Sequence, residues 1–376
     1  MRKYFSLPMI CCLSAFVLSN CKVPYDPTLK ATDTNTLIVE GYIDGAAPVS
    51  FKLTRSRILS VGDTAARHYE LNARVTIEDD HQVVFPLIES GGGIYTSSGI
   101  LSLNKASLYR IHIITSDGRE YLSDLVPFKQ SPAIDTIGWK LKDNGVQTFV
   151  NTHDPGNATR YYRWEYNETW EFHATYNSNL RYVPDSNIVV PRTVEVSVCW
   201  QTDNSTSIYL NSSAKLASDV ISEMPLAYIE PHDNKLSVLY SIGVKQYVLD
   251  VNGYNYWVAI RNNTERTGSI FDPQPNETTG NIHCVTNPAE KVVGYINAGN
   301  SFEKRTFISN SSLPTGWNQA EDCPLKYVIN NPDSLIFYFN GQYSPIDFGW
   351  GIYAASYKLC VDCTLRGTNV KPSFWP

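Results

Sequence analysis

Three glutamates stand three residues apart in one aromatic stretch, Glu165, Glu168 and Glu171. Two carboxyl groups flanking a scissile bond are what glycoside hydrolysis requires, so this spacing is the first place to look for chemistry. The surrounding residues, Tyr161-Tyr162-Arg163-Trp164-Glu165-Tyr166, alternate in the manner of a strand. On a strand successive side chains point to opposite faces, which puts Glu165 and Glu171 with Tyr161 and turns Glu168 the other way. Solvated positions on a twisted sheet account for all three. The seven histidines are scattered, and none has the paired helical spacing of a zinc protease. His283-Cys284 with the distant Cys360 and Cys363 is the one arrangement that would hold zinc. The chain carries no Gly-x-Ser-x-Gly elbow. Gly91-Gly92-Gly93 lacks the lysine and the helix of a phosphate loop and reads as a turn. No catalytic residue, metal or cofactor is assigned, and the expectation is a protein that is not an enzyme.

The N-terminus is more specific. Arg2 and Lys3 precede an apolar run from Ile10 to Leu18, followed by Leu18-Ser19-Asn20-Cys21. This is the layout of a secretory signal, and its apolar core falls well short of the roughly 20 residues that span a bilayer. The last four residues resemble a lipobox, with Asn20 where a smaller residue is usual, which makes Cys21 the lipidated N-terminus of the mature chain. The other reading is an ordinary signal peptide with a free thiol at Cys21. Two acyl chains give stable anchoring where one does not. Lys22 is not the aspartate of inner-membrane retention, so the outer membrane is the expected location, with the leaflet open.

The chain has 31 Lys and Arg against 37 Asp and Glu, and loss of Arg2 and Lys3 with the signal leaves 29 against 37, a net charge of −8. Nucleic acid and anionic membrane faces attract basic surfaces, so neither is expected as a partner. Aromatics make up 12% of the residues, with 24 Tyr and only 3 Met, which favours strands over helical bundles. Trp164, Trp170 and Trp350 are the tryptophans least obviously placed in a core. Five cysteines remain after the signal and Cys21: Cys199, Cys284, Cys323, Cys360 and Cys363. An oxidising compartment makes disulfides their default, and the odd count leaves one unpaired. Cys360-Val361-Asp362-Cys363 also has the spacing of a redox or zinc half-site, without a second pair beside it.

The elements that must position these residues read as all-β. Residues 1–20 form the signal peptide and 21–36 a flexible linker with two prolines. Period-two alternation starts at Leu37-Ile38-Val39-Glu40, returns through Val49, Phe51 and Leu53, and again at Val75 and Ile77. Asp117-Gly118 between apolar runs predicts a hairpin. Together these give an immunoglobulin-like β-sandwich over 37–131. Ser131-Pro132 marks a junction, followed over 132–376 by a larger β-rich domain with a cysteine-containing end and at most one or two short helices. Val251, Tyr254, Trp257, Val258 and Arg261 fall at helical spacing, predicting a helix near 252–263 capped by Asn252.

Several segments in combination resemble one family. They are the opening Leu37-Ile38-Val39-Glu40-Gly41-Tyr42-Ile43, Gly268-Ser269-Ile270-Phe271-Asp272-Pro273-Gln274-Pro275, Gly280-Asn281-Ile282-His283-Cys284, Val293-Gly294-Tyr295, and the ending from Cys360-Val361-Asp362-Cys363 to Phe374-Trp375. Over nearly the whole mature chain the sequence is similar to the Bacteroidota lipoproteins grouped as domain of unknown function 4249. That family has no assigned activity and lends no catalytic residues. Its members are often encoded beside TonB-dependent outer-membrane transporters, which implies an accessory role in uptake, with a barrel and a small nutrient as partners. The resemblance also implies a turn with a disulfide-forming cysteine at Cys284 and a C-terminal clasp at Cys360 and Cys363. The alternative is a structural or adhesive cell-surface protein.

Overall fold

A computed structural model describes residues 35–56, 68–265, 278–317 and 322–376. Cys21, most of the linker and the segment 268–275 lie outside them. The fold is all-β, as the alternation predicts, and no helix among the described residues is long and apolar enough to cross a membrane.

In strand Leu37–Asp44 the residues Leu37 and Val39 are buried. It pairs antiparallel with Pro48–Arg55, from Leu37 opposite Arg55 to Tyr42 opposite Ser50. Gly41 faces Phe51, where a Cβ would stand 2.2 Å from the ring, so only glycine lets that ring lie flat across the pair. The ladder continues through Ile94–Ile100, Val84–Gly91, Arg74–Asp79 and Leu108–Ile114. It then closes on itself: Leu108–Ile114 pairs with Val126–Gln130, which pairs with Ala298–Asn300, which returns to Leu37–Asp44. Closure leaves short strands such as Ile282–Cys284 and His68–Tyr69 at the margins and encloses Phe51, Tyr95, Tyr109 and Tyr121. The hairpin at Gly118 forms as expected, with φ +84°, and Gly91, Gly92 and Gly93 make a turn at positive φ.

The sequence divides the chain at 131/132, and the strands do change sheet there, from Val126–Gln130 to Ile134–Lys142. The segment 282–300 departs from that division. Ile282–Cys284 pairs with Glu120–Ser123, Val292–Val293 with Leu37–Asp44, and Ala298–Asn300 closes the first sheet. The first core therefore takes Ile282, Val292, Ile296 and Ala298 from a stretch placed by sequence in the second domain. Strands of two or three residues, paired across some 160 to 255 positions, leave no local periodicity to read.

The second core lies between two sheets. One runs Val198–Asn204, Tyr161–His173, Leu239–Val248, Phe302–Ser309, and the other Ile134–Lys142, Gly145–Asp154, Asp219–Ile229. Tyr162, Trp164, Trp170 and Phe172 point inward from the long strand. Trp164 is 0% exposed, and its indole donates to Gln246 Oε1 at 2.9 Å. Trp164 and Trp170 are thus core residues, against their sequence reading, because the inward phase of the strand carries them. Trp350 is fully exposed (102%) at a hairpin tip, as expected of it. Glu168, read as solvated, is buried on the inward phase, where it accepts from the Tyr240 hydroxyl at 2.6 Å and Lys235 at 2.9 Å. A buried charge needs such partners.

Among the described residues there are three α-helices, Val251–Glu265, Pro332–Phe339 and Lys358–Val361, against the one or two expected. The last two span only four to eight residues, too few turns for a 3.6-residue period to show. The first matches the predicted helix near 252–263, but Asp250 caps it, accepting from the Gly253 N–H at 2.6 Å. Pro332–Phe339 packs on a small sheet of Lys326–Ile329, Ile352–Tyr357 and Tyr343–Gly349.

Disulfides join Cys199 to Cys363 and Cys323 to Cys360. Cys284 is a correction: it is a buried free thiol, 3.4 Å from the Thr286 hydroxyl. It lies in the first sheet, whereas all four paired cysteines belong to the C-terminal part. The two cysteines of the Cys-x-x-Cys segment do not pair with each other. Each reaches outward, so the segment ties the chain end down at two points.

Candidate functional site

Because Trp164 and its neighbours face the core, the opposite phase of Tyr161–His173 faces outward and presents Arg163, Glu165 and Asn167. Antiparallel register sets Tyr247 opposite Arg163, Lys245 opposite Glu165 and Gly243 opposite Asn167. Glu303 stands opposite Lys245 on the next strand. The first sheet's strands Leu37–Asp44 and Pro48–Arg55 wall this face on one side, with Trp257 of the helix, and the loop 204–208 walls it on the other. The result is a trough of two adjoining cavities of about 400 and 450 Å³, divided by Arg163, Glu165 and Lys245, which line both.

The Arg163 guanidinium lies 4.6 Å from the Tyr247 ring centroid and 4.4 Å from that of Trp257, an aromatic clamp. Its Nη1 pairs with Glu165 at 2.8 Å, and Glu165 also accepts from the Tyr247 hydroxyl at 2.9 Å. The Nε of Arg163 is buried with no partner. Lys245 pairs with Asp44 at 3.0 Å, and Asp44 is held by the Ser301 hydroxyl at 2.5 Å and backbone N–H at 3.0 Å. Tyr42 packs on Tyr247 with centroids 4.9 Å apart, so the two sheets meet through aromatic rings beneath the trough. Burial, then the charge of Asp44, pushes the Tyr42 phenol up; burial, then Glu165, does the same for Tyr247. Both stay protonated at neutral pH. The central carboxylates are each neutralised by a cation, and the arrangement offers fixed hydrogen-bonding groups beside aromatic surface, which is the chemistry of binding.

Of the three glutamates singled out in the sequence, only Glu165 lies in the trough. Glu168 faces the core, and Glu171 accepts from the Trp375 indole at 3.0 Å and lies beside His173 at 2.8 Å. His283 and Cys284 sit on the first sheet, apart from the disulfide-bonded Cys360 and Cys363, so the zinc arrangement is not assembled. Ligand atoms of Asp79, Asp80 and His81 do come within 4.8 Å on an exposed turn. The Asp79 carboxylate there accepts the His81 and Val83 N–H groups at 2.9 and 2.8 Å, which accounts for the cluster as turn geometry. Lys245, Tyr247, Trp257 and Asp44 were not singled out as site residues in the sequence. The signal available was the polar phase Arg163-x-Glu165-x-Asn167 alternating with core aromatics.

A second surface feature is the hairpin tip Phe348-Gly349-Trp350-Gly351-Ile352. Trp350 has φ +55° between two glycines. Nearby, Tyr327 is 68% and Ile329 60% exposed, and Ile329 lies opposite Ile352.

The profile of the domain of unknown function DUF4249 matches residues 22–305. The chain belongs to the DUF4249 family. The match contains the first sheet with its return segment and the trough, and ends before the helical module and the Cys-x-x-Cys segment. No curated protein matches the chain. Among solved structures it is similar to a two fibronectin type-III domain segment from chicken tenascin, at 11% identity, covering 58% of this chain and 99% of that one. With a TM-score of 0.17 that similarity carries no weight, and the all-β assignment of this DUF4249 protein stands on its own strands.

Proposed function

We propose that this DUF4249 protein is an outer-membrane lipoprotein, tethered through Cys21, that binds a small nutrient in the trough and serves a TonB-dependent transporter as its accessory binding protein. The observation that carries the binding role is the trough itself, built on rigid strands and walled by both sheets, where Arg163 and Glu165 are locked by aromatic and ionic partners. Sites held this way lose little entropy on capturing a ligand. The signal sequence and lipobox support the anchor, and the acidic mature chain fits a role away from nucleic acid. The apolar tip around Trp350 supports a protein partner, since contiguous exposed apolar surface marks interaction sites.

Recovery of the tethered protein from membranes in mild detergent tests this reading. The wild type is expected to bring down an outer-membrane barrel, and Cys21→Ala to leave the membrane fraction and lose it. A structural or adhesive surface protein is the second reading, favoured by the two disulfides and the closed first sheet. Recovery of the tethered chain alone, across several growth conditions, decides for it.

A further inference from the structure

Resting on the reading of the trough as a binding site, we propose that its ligand is a neutral saccharide of at least two units, one in each cavity. Charge is the first argument. Glu40, Asp44, Glu165 and Glu303 line the trough against Lys52, Arg163 and Lys245, and the central charges are spent on each other, Arg163 with Glu165 and Lys245 with Asp44. With those pairs spent, Glu40 and Glu303 are left against Lys52, so an anion meets a small excess of acid, and a cation that engages a central acid must take it from its paired base. A neutral polar ligand meets neither penalty, since like-charge contacts are what complementarity avoids.

Hydrogen-bonding character is the second. Sugar hydroxyls both donate and accept, and the lining offers both: Asn204, Ser205, Thr206 and Ser207 along one wall, Ser50 on the other, and Asn167 on the floor. Asn167 Oδ1 already accepts from Arg305 at 2.5 Å, which fixes the amide and leaves its NH₂ group directed elsewhere. Glu165, held by Arg163 and Tyr247, presents a planar carboxylate of the kind that takes two neighbouring hydroxyls at once. Shape is the third argument. The ridge of Arg163, Glu165 and Lys245 separates two cavities of similar size, about 400 and 450 Å³, and the half-buried Trp257 supplies flat apolar surface at the edge of one of them for a ring to pack on.

Calorimetry on the full tethered chain in detergent tests the assignment, with neutral gluco-, manno-, xylo- and galacto-oligosaccharides of two to six units, oligogalacturonate as an acidic counterpart, and dipeptides. The result expected is binding of a neutral oligomer that strengthens from one to two units and weakens at least tenfold in both Asn167→Ala and Glu165→Gln, with melting temperatures unchanged. Binding of the acidic oligomer or the dipeptides alone overturns the saccharide class while leaving the trough as a site. Neutral binding indifferent to both substitutions overturns the location. No binding across the panel overturns the inference even where a barrel is still recovered with the chain, because the accessory role and the ligand class then part company.

Discussion

Arg55→Met is expected to cost the folded state about 3–5 kcal/mol, the range for breaking a buried ion pair from one side. The Arg55 side chain is only 5% exposed. Its Nε pairs with Glu70 at 2.6 Å and its Nη1 with Glu290 at 3.4 Å, and the same group reaches the Asn35 carbonyl at 3.1 Å and the Tyr121 hydroxyl at 3.3 Å. Methionine fills much of the volume, so the loss is electrostatic: two carboxylates stay behind, largely buried. Glu290 belongs to the return segment between Ile282–Cys284 and Val292–Val293, so the damage reaches the pairing that completes the first sheet. Urea unfolding measures the difference. Arg110→Met is the control, because Arg110 is 36% exposed in its pair with Glu78, and a pair of that kind contributes about 1 kcal/mol or less. Equal losses in the two variants would contradict the account.

The pH dependence follows from the same network. Burial alone pushes the Glu290 carboxyl up, but the Tyr121 hydroxyl and the Arg119 and Arg55 guanidinium groups outweigh it and hold Glu290 below its ordinary range. A carboxyl depressed in the folded state contributes stability that is complete above its ordinary value and is lost as pH falls through its folded value. Wild-type stability therefore falls with acid, and Arg55→Met shows less of that fall because one of the depressing cations is gone.

The second large effect is expected from the disulfides, and unequally. Cys199 and Cys363 are 164 residues apart and both fully buried in the second core. Cys323 and Cys360 are 37 apart. Loop closure in the unfolded chain gives about 5 kcal/mol for the longer span and about 4 kcal/mol for the shorter, and the longer bridge, with both cysteines at 0% exposure beside Phe172, leaves the more enclosed cavity when both become alanine, since Cys323 is only half-buried. Its loss also frees the tail that follows, where Thr368 bridges Trp200 and Trp375 donates to Glu171. The Cys199→Ala/Cys363→Ala double variant is expected to unfold at lower denaturant than Cys323→Ala/Cys360→Ala. The reverse order in the same titration would show that the tail is held by something else.

Much of this fold was legible because its strands are long and one-sided. Val49, Phe51 and Leu53 alternate in the sequence and are buried in the structure, and Asp117-Gly118 marked its hairpin. What escaped notice was settled by distant partners. Three residues at Ile282–Cys284 show no period, yet the first sheet needs them. Parity left one cysteine unpaired, but only sheet membership shows that it is Cys284. Trp164 and Trp170 could be assigned to the core once the inward phase of their strand was known, and that phase depends on the sheet packed against it. In the trough, only Glu165 stood out in the sequence, as one of three spaced glutamates in an aromatic strand, while Arg163 shares its outward phase and Lys245 and Tyr247 join them through register. Asp250, one residue before the apolar period begins, caps the helix in place of Asn252 because its carboxylate meets the Gly253 N–H.

Photo-crosslinking in cells from position 350 tests the proposed transporter role most directly. Trp350 is the most exposed large side chain of the apolar tip, and Ile352 (38% exposed) and its cross-strand partner Ile329 (60% exposed) continue the uncovered apolar surface along the hairpin's strands. With a photoreactive residue in place of Trp350 on the Cys21-tethered chain, the account predicts an adduct with an outer-membrane barrel identified by mass spectrometry. Adducts with lipid alone, or none while the protein is folded and anchored, would contradict it.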